Sequence, residues 1–150
     1  MSETVTITTK RFSDIQCMDD AIKTKRDKYS LVYKQVEALV EGEDDCIANM
    51  SNIAALLHST FGFWWTGFYI VKGDELVPGP FQGPVACSRI PFGRGVCGSA
   101  WKRKESMVVP DVEQFPGHIA CSSLSRSEIV VPIFRDKEVI AEDQIGRAHV

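Results

Sequence analysis

Three cysteines, Cys87, Cys97 and Cys121, stand among glycines, prolines and a histidine in the stretch from Gly79 to Glu128, which contains GPFQGPVAC, GRGVCG, PGHIAC and SEIVVP. Thiols in loop-forming sequence are accessible, and access together with thiolate character decides whether a cysteine reacts or merely packs. A thiolate that attacks an oxidised sulfur becomes a sulfenic acid, and a second thiol nearby condenses with it to a disulfide. Three thiols can supply an attacker, a resolver and a relay, and only the fold decides which pair meets. A lone free cysteine is most often a small buried hydrophobe. The shared loop context argues against that reading for these three, whereas Cys17, in a polar stretch, and Cys46, at a helix start, keep it.

The neighbours of the thiols extend the chemistry. Cys97 follows Gly93 and Gly95 at the start of an expected helix, where unpaired amides and the helix dipole favour a thiolate. Cys121 has His118 before it and Arg126 and Glu128 after it, a setting with both activation and a proton source. His118 with three cysteines suggests zinc only weakly, because no C-x-x-C pair occurs and the spacings are wide. No metal site and no cofactor are expected.

Secondary structure must position these groups. Residues 1–28 are polar and aperiodic and read as a flexible extension. From Tyr29, the positions Val32, Tyr33, Val36, Leu39 and Val40 line one helical face, with Gly42 as terminator. A second helix, capped by Asp44 or Asp45, carries Ile47, Met50, Ile53, Ala54 and Leu57 up to Gly62, and His58 belongs to its core edge. Phe63 to Val71 is an aromatic and β-branched strand with Trp65, Gly67 and Tyr69 on one face, and Lys72 to Asp74 turns it into a strand over Glu75 to Phe81. Pro78 and Pro80 make that second strand short or an edge. Further strands are expected over Ala86 to Ile90, Ser106 to Val109 and Glu128 to Phe134, with a helix from Val96 to about Lys104 and an aperiodic region from Asp111 to Arg126. Helices flanking an antiparallel sheet make an α+β domain.

Composition narrows the function classes. The chain has 150 residues, enough for one domain with a substantial core, and a net charge of -3, which offers no electrostatic footprint for nucleic acid or an anionic membrane. No apolar run approaches the roughly 20 residues that span a bilayer, and the N-terminus lacks the apolar region of a secretory signal. A cytoplasmic location is therefore expected, where five cysteines stay reduced unless chemistry oxidises them.

At its end the apolar pattern breaks at Glu142, Asp143 and Gln144. Residues Ile145 to Val150 can be back-translated as ATC GGA AGA GCA CAC GTC, the sequence of a common short-read adapter. Residues 144–150 are accordingly read as a non-native, adapter-derived tail, with no completed last strand and no closing helix, and His149 receives no functional weight.

GPFQGPVAC, PFGRGVCG, DVEQFPGHIAC and SEIVVPI together resemble the free methionine-(R)-sulfoxide reductases, a branch of the GAF-domain fold, collinearly from the first aromatic strand to Ile140. The resemblance implies a GAF-like domain over 29–143 that reduces free L-methionine-(R)-sulfoxide to methionine through a sulfenic acid and an intramolecular disulfide recycled by thioredoxin, in a setting of oxidative stress. It implies that Cys121 attacks the sulfoxide sulfur, that Cys87 and Cys97 hold the resolving or relay positions, and that Trp65 and Tyr69 wall the substrate's methyl group. Glu128 is the carboxyl that assists proton transfer and binding. Family members carry an Asp-Ile-Asp motif on the last strand where this chain has Gln144 and Gly146, so reduced activity and stability are expected. The sequence leaves a homodimer open. A non-catalytic ligand-binding GAF domain, or a redox sensor using the same thiols, is the alternative.

Overall fold

The computed structural model describes residues 24–119 and 125–148. The first helix, α1 (Lys25–Val40), starts a turn before Tyr29. The Thr24 hydroxyl is the reason: its oxygen accepts from the Asp27 amide at 3.1 Å and donates to the Asp27 carboxylate at 2.7 Å. Residues 25–28 are therefore helical and not part of an extension, and 1–23 lie outside the described residues. α1 crosses the boundary between a unit of residues 1–38 and a unit of residues 39–150, and the second unit holds the remaining elements.

Helix α2 (Cys46–Phe61) is stopped at both ends by the residues that its sequence supplies. Asp45 Oδ1 accepts from the Ala48 amide at 2.8 Å, and Gly62 adopts φ 65° so that its N–H reaches the His58 carbonyl. Cys46, expected to pack, is exposed, because the first turn of α2 lies at its rim.

Six antiparallel strands follow: β1 (Trp65–Lys72), β2 (Glu75–Gln82), β3 (Ile90–Pro91), β4 (Met107–Val109), β5 (Ser127–Arg135) and β6 (Glu138–Arg147), in the order β3-β2-β1-β6-β5-β4. Helix α3 (Gly95–Arg103) separates β3 from β4. β2 is not short. It pairs with β1 along its length, and only Glu75 and Leu76 pair outward with β3, so Pro78 and Pro80 occupy the stretch whose outer side carries no ladder. The strand expected from Ala86 shrinks to Ile90–Pro91, because Gly83, at φ 127°, and Pro84 turn the chain out of the sheet and 83–89 is irregular.

β6 overturns the expectation of an incomplete last strand. It runs to Arg147 between β1 and β5, with Gln144 opposite Gly67 and Val130, and Gly146 opposite Trp65 and Glu128. Backbone ladders on both sides hold a central strand largely whatever its side chains are. Among the described residues no helix follows β6.

Alternation along the strands sorts the sheet into two faces. One carries Trp65, Tyr69, Val130, Glu128, Glu142, Gln144 and Gly146 and packs against α3, with Leu76, Ile90, Val96, Cys97 and Ala100 completing the core. The other carries Phe68, Ile70, Ala141 and Asp143 and is covered by α2 over β1 and β2. Leu76 and Val130 are both 0% exposed, each worth about 1.5–3 kcal/mol in burial. Gly98 lets α3 approach closely, since a Cβ there would stand 2.5 Å from the Pro91 carbonyl oxygen. That approach carries Cys97 into the core.

Candidate active site

A pocket opens on the α3 face of the sheet, lined by Trp64, Trp65 and Tyr69 from β1 and its approach, Cys97 from α3, His118 from the loop after the 3-10 turn Val112–Gln114, and Glu128, Gln144 and Gly146 from β5 and β6. Of the residues expected in the site, Trp65, Tyr69, Cys97 and Glu128 thus meet in one cavity. Cys87 lies in the irregular 83–89 segment directly after Val85 and Ala86 of the pocket rim. Cys121 lies outside the described residues.

The aromatic wall is built by strand register. Trp65 and Tyr69 stack at 5.8 Å between ring centroids, and Phe81 of β2 stacks on Trp65 at 5.2 Å. A Cβ on Gly67 would fall 2.2 Å from that of Phe81, so the glycine between them admits β2 where the ladder bulges. The Tyr69 hydroxyl donates to the Cys87 carbonyl at 3.1 Å. Among the described residues, Trp64 Nε1 and Trp65 Nε1 are buried without a hydrogen-bond partner, two donors suited to an oxygen acceptor on a ligand.

The pocket's electrostatics are set by buried acids. Glu128 is 7% exposed, and burial pushes its carboxyl up to about 7, against a hydrogen bond from Gln144 Nε2 at 3.2 Å that favours the anion. A carboxyl poised there both gives and takes protons at neutral pH. Glu142 is 0% exposed and is pushed up to about 8 by burial, while the Cys97 thiol and the Trp101 backbone reach it and partly offset this. Neither of its oxygens completes a hydrogen bond of ordinary geometry.

Cys97 departs from the sequence expectation. It occupies the third position of α3, yet burial drives its pKa well upward and the Glu142 and Glu128 carboxyls add to the rise, so the thiol form dominates. Burial, reinforced by two acids, outweighs a helix terminus worth about 1 kcal/mol or less. Cys97 is a free thiol, whereas Cys87 is disulfide-bonded. His118 is lowered by burial, which leaves a neutral imidazole at the pocket. Arg126, expected beside the thiols, is committed elsewhere: its guanidinium pairs with Glu113, and its carbonyl accepts from the Val112 amide at 2.9 Å. These two bonds clamp the base of the loop that contains Cys121.

Sequence reading missed Glu142, and it set Trp64 beside Trp65 as a packing residue with only one face of the pair reaching the pocket, which both in fact line. In sequence Glu142 breaks an apolar strand, yet it directly faces Tyr69 across the β1–β6 ladder. A polar residue in register with an aromatic wall was the available signal.

The GAF domain family model matches residues 45–141. GAF domain-containing protein A of Dictyostelium discoideum is 52% identical over 118 residues, 78% of this chain and 75% of the relative. Free methionine-R-sulfoxide reductase of Escherichia coli is 44% identical over 117 residues, 77% of this chain and 71% of the relative. The crystal structure of free methionine-R-sulfoxide reductase from Neisseria meningitidis in complex with its substrate superposes with a TM-score of 0.80 at 54% identity, covering 81% of this chain and 74% of that one. The chain belongs to the GAF-domain family and groups within it with the free methionine-R-sulfoxide reductases.

Proposed function

We propose that this protein reduces free L-methionine-(R)-sulfoxide to methionine. The observation that carries the reading is Glu128, a buried carboxyl near pH 7 facing a pocket walled by Trp65 and Tyr69, in a chain 54% identical to a reductase of known substrate. In the first step the Cys121 thiolate attacks the sulfoxide sulfur while Glu128 supplies a proton to the sulfoxide oxygen. The S–O bond breaks, oxygen passes to Cys121 as a sulfenic acid, and methionine leaves, its sulfur reduced by two electrons. Cys87 then attacks the sulfenic sulfur, giving a Cys87–Cys121 disulfide and water. A dithiol reductant, in our reading thioredoxin, returns two electrons and two protons to restore both thiols.

The disulfide at Cys87 and the free, protonated Cys97 favour Cys87 as resolver and leave Cys97 as a reserve thiol. The methyl group packs on the Trp65 and Tyr69 rings, and the unpartnered indole N–H groups suit an oxygen of the substrate. The substrate's ammonium group needs acceptors. Glu128 offers a carbonyl oxygen of its carboxyl, and Gln144 and Gly146 line the pocket where the family's acids stand. A Cβ at Gly146 would meet Ser125 Oγ at 3.5 Å and Trp65 Cβ at 3.7 Å, ordinary contacts, so an acid fits there. We propose accordingly that residues 144–150 are non-native and that turnover is impaired for want of those acids. The setting is cytoplasmic, and no helix of the described residues is long and apolar enough to cross a membrane.

Methionine formation from the R epimer with a thioredoxin couple, and none from the S epimer, is the expected result. Gln144→Asp with Gly146→Asp raises turnover at least tenfold, and Cys121→Ser abolishes it. Unchanged turnover in Cys121→Ser rejects the mechanism. Ligand binding without turnover in the double-acid variant returns the chain to the ligand-binding or sensing class.

A further inference from the structure

A second cavity opens on the α2 side of the sheet. It has a volume of about 510 Å³ and lies between the first turns of α2, the end of β1 and the β5–β6 hairpin. Helix α2 packs over β1 and β2, so the sheet past its edge is left uncovered where β5 meets β6. Ile47 and Met50 of α2 wall the cavity on one side. Across the sheet, Ala141 of β6 stands in register between Ile70 of β1 and Ile133 of β5, and its single methyl leaves a trough between two larger side chains. Such a volume with a largely aliphatic lining is that of a small-molecule site, which runs to roughly 300–1,000 Å³ and carries a few polar groups to orient its ligand.

The charged group in this lining is Arg135. Its register partner across the hairpin is Glu138, but the Glu138 carboxylate is taken by Lys104 Nζ at 3.1 and 3.2 Å. Among the described residues Arg135 makes no ion pair, and it is exposed. The polar groups at the start of α2 are turned elsewhere. Glu43 accepts from the Asp45 amide and Asp45 from the Ala48 amide, each at 2.8 Å, while the Asn49 side chain donates to the Glu43 carbonyl at 2.9 Å. An unpaired guanidinium at the rim of an aliphatic trough complements a carboxylate that ends a hydrocarbon tail.

We propose that this cavity binds a medium-chain carboxylate, with the chain in the trough between Ile70 and Ile133 and the head group on Arg135. Tail and trough leave water together, which drives binding, and the guanidinium decides which end of the ligand faces out. The site is separate from the pocket of Trp65 and Glu128 and is independent of the reductase reading.

Decanoate titrated into the full chain below its micellar concentration, with the Ile and Met methyl groups followed by NMR, tests the proposal. Saturable shifts are expected at Ile47, Met50, Ile70 and Ile133. Decanol should bind about tenfold more weakly, for want of a hydrogen bond between charged groups. Arg135→Ala should weaken decanoate about tenfold and leave decanol within about twofold. Ile47→Glu, which sets an acid at a rim position that is 53% exposed, should weaken decanoate more than decanol. Shifts that do not saturate, or that centre on Trp65 and Tyr69, overturn the proposal, and so does unchanged decanoate affinity in Arg135→Ala. If that variant does not fold, equal affinity of the parent for decanoate and decanol rejects the carboxylate. Concentration-dependent shifts of the same methyls without decanoate give the cavity to a second copy of this chain, and they too overturn it.

Discussion

Two adjacent residues of β6 bury carboxyls on opposite faces of one sheet, and their surroundings differ completely. Glu142 faces α3, with the Cys97 thiol against it and Tyr69 across the ladder. Asp143 faces the other way, opposite Phe68 and Val131, with Oδ1 buried and unpartnered. Burial raises both, to about 8 and about 6. A raised acid against the Cys97 thiol and across from the Tyr69 phenol stands directly behind two residues that line the cavity. A raised acid among hydrocarbon side chains only costs stability. The contrast shows that a perturbed pKa marks a functional site only where chemistry surrounds it.

The largest effect should come from removing the acid that best fits this distinction. Glu128→Gln is expected to lower the rate of methionine release about 10²- to 10³-fold, within the range that a positioned general acid contributes. The parent supplies its proton from the neutral form, so its single-turnover rate should fall as pH rises through about 7. That falling limb should vanish in Glu128→Gln. If the variant keeps it, the proton comes from another group.

Much of this face was legible in the sequence, for reasons particular residues make plain. Trp65, Gly67 and Tyr69 alternate, Asp45 and Gly62 punctuate α2, and glycines precede Cys97, so local pattern alone located β1, both helix ends and the thiol-bearing turn. Two things were not local. The ionisation of Cys97 depends first on burial in the core and then on Glu142 and Glu128, which come 45 and 31 positions later and meet it only through the sheet. The persistence of β6 through Gln144 and Gly146 depends on partners on both sides, which its own polar sequence does not advertise. Conversely, the strand expected at Ala86 had the right composition, but Gly83 and Pro84 directed the chain elsewhere.

On the α2 face the expected effect is on stability, not turnover. The carboxyl of Asp143 titrates near 6 when folded and near 3.8 when free, so between those values the native state holds the extra proton. Its favourable contribution is complete below about pH 4 and is lost as pH rises through about 6. Asp143→Leu should therefore stabilise the protein by about 1–3 kcal/mol at pH 8 and by far less at pH 4. Urea melts of parent and variant across this range measure the difference. Since Glu128 and Glu142 act in the same direction in both proteins, their part cancels. Parallel pH profiles for the two proteins would show that Asp143 is hydrated in solution.

The smallest effect is expected next to it on β5. Val131 pairs with Asp143 across the β5–β6 ladder yet is 42% exposed, and Ile129 on the same face is 40% exposed, while Val130 between them is 0% exposed and faces the pocket side. Threonine keeps the β-branched shape that a strand favours and adds a hydroxyl that water can reach at an exposed site. Val131→Thr should shift stability by no more than about 0.5 kcal/mol and leave turnover unchanged. Val130→Thr places the same hydroxyl in a dry core and should cost clearly more. Equal costs at the two positions, read from denaturant midpoints, would mean that the α2 face around β5 is as closed as the α3 face. The asymmetry between the two buried acids would then lose its structural basis, because Asp143 would share a sealed layer with neighbours able to answer its charge.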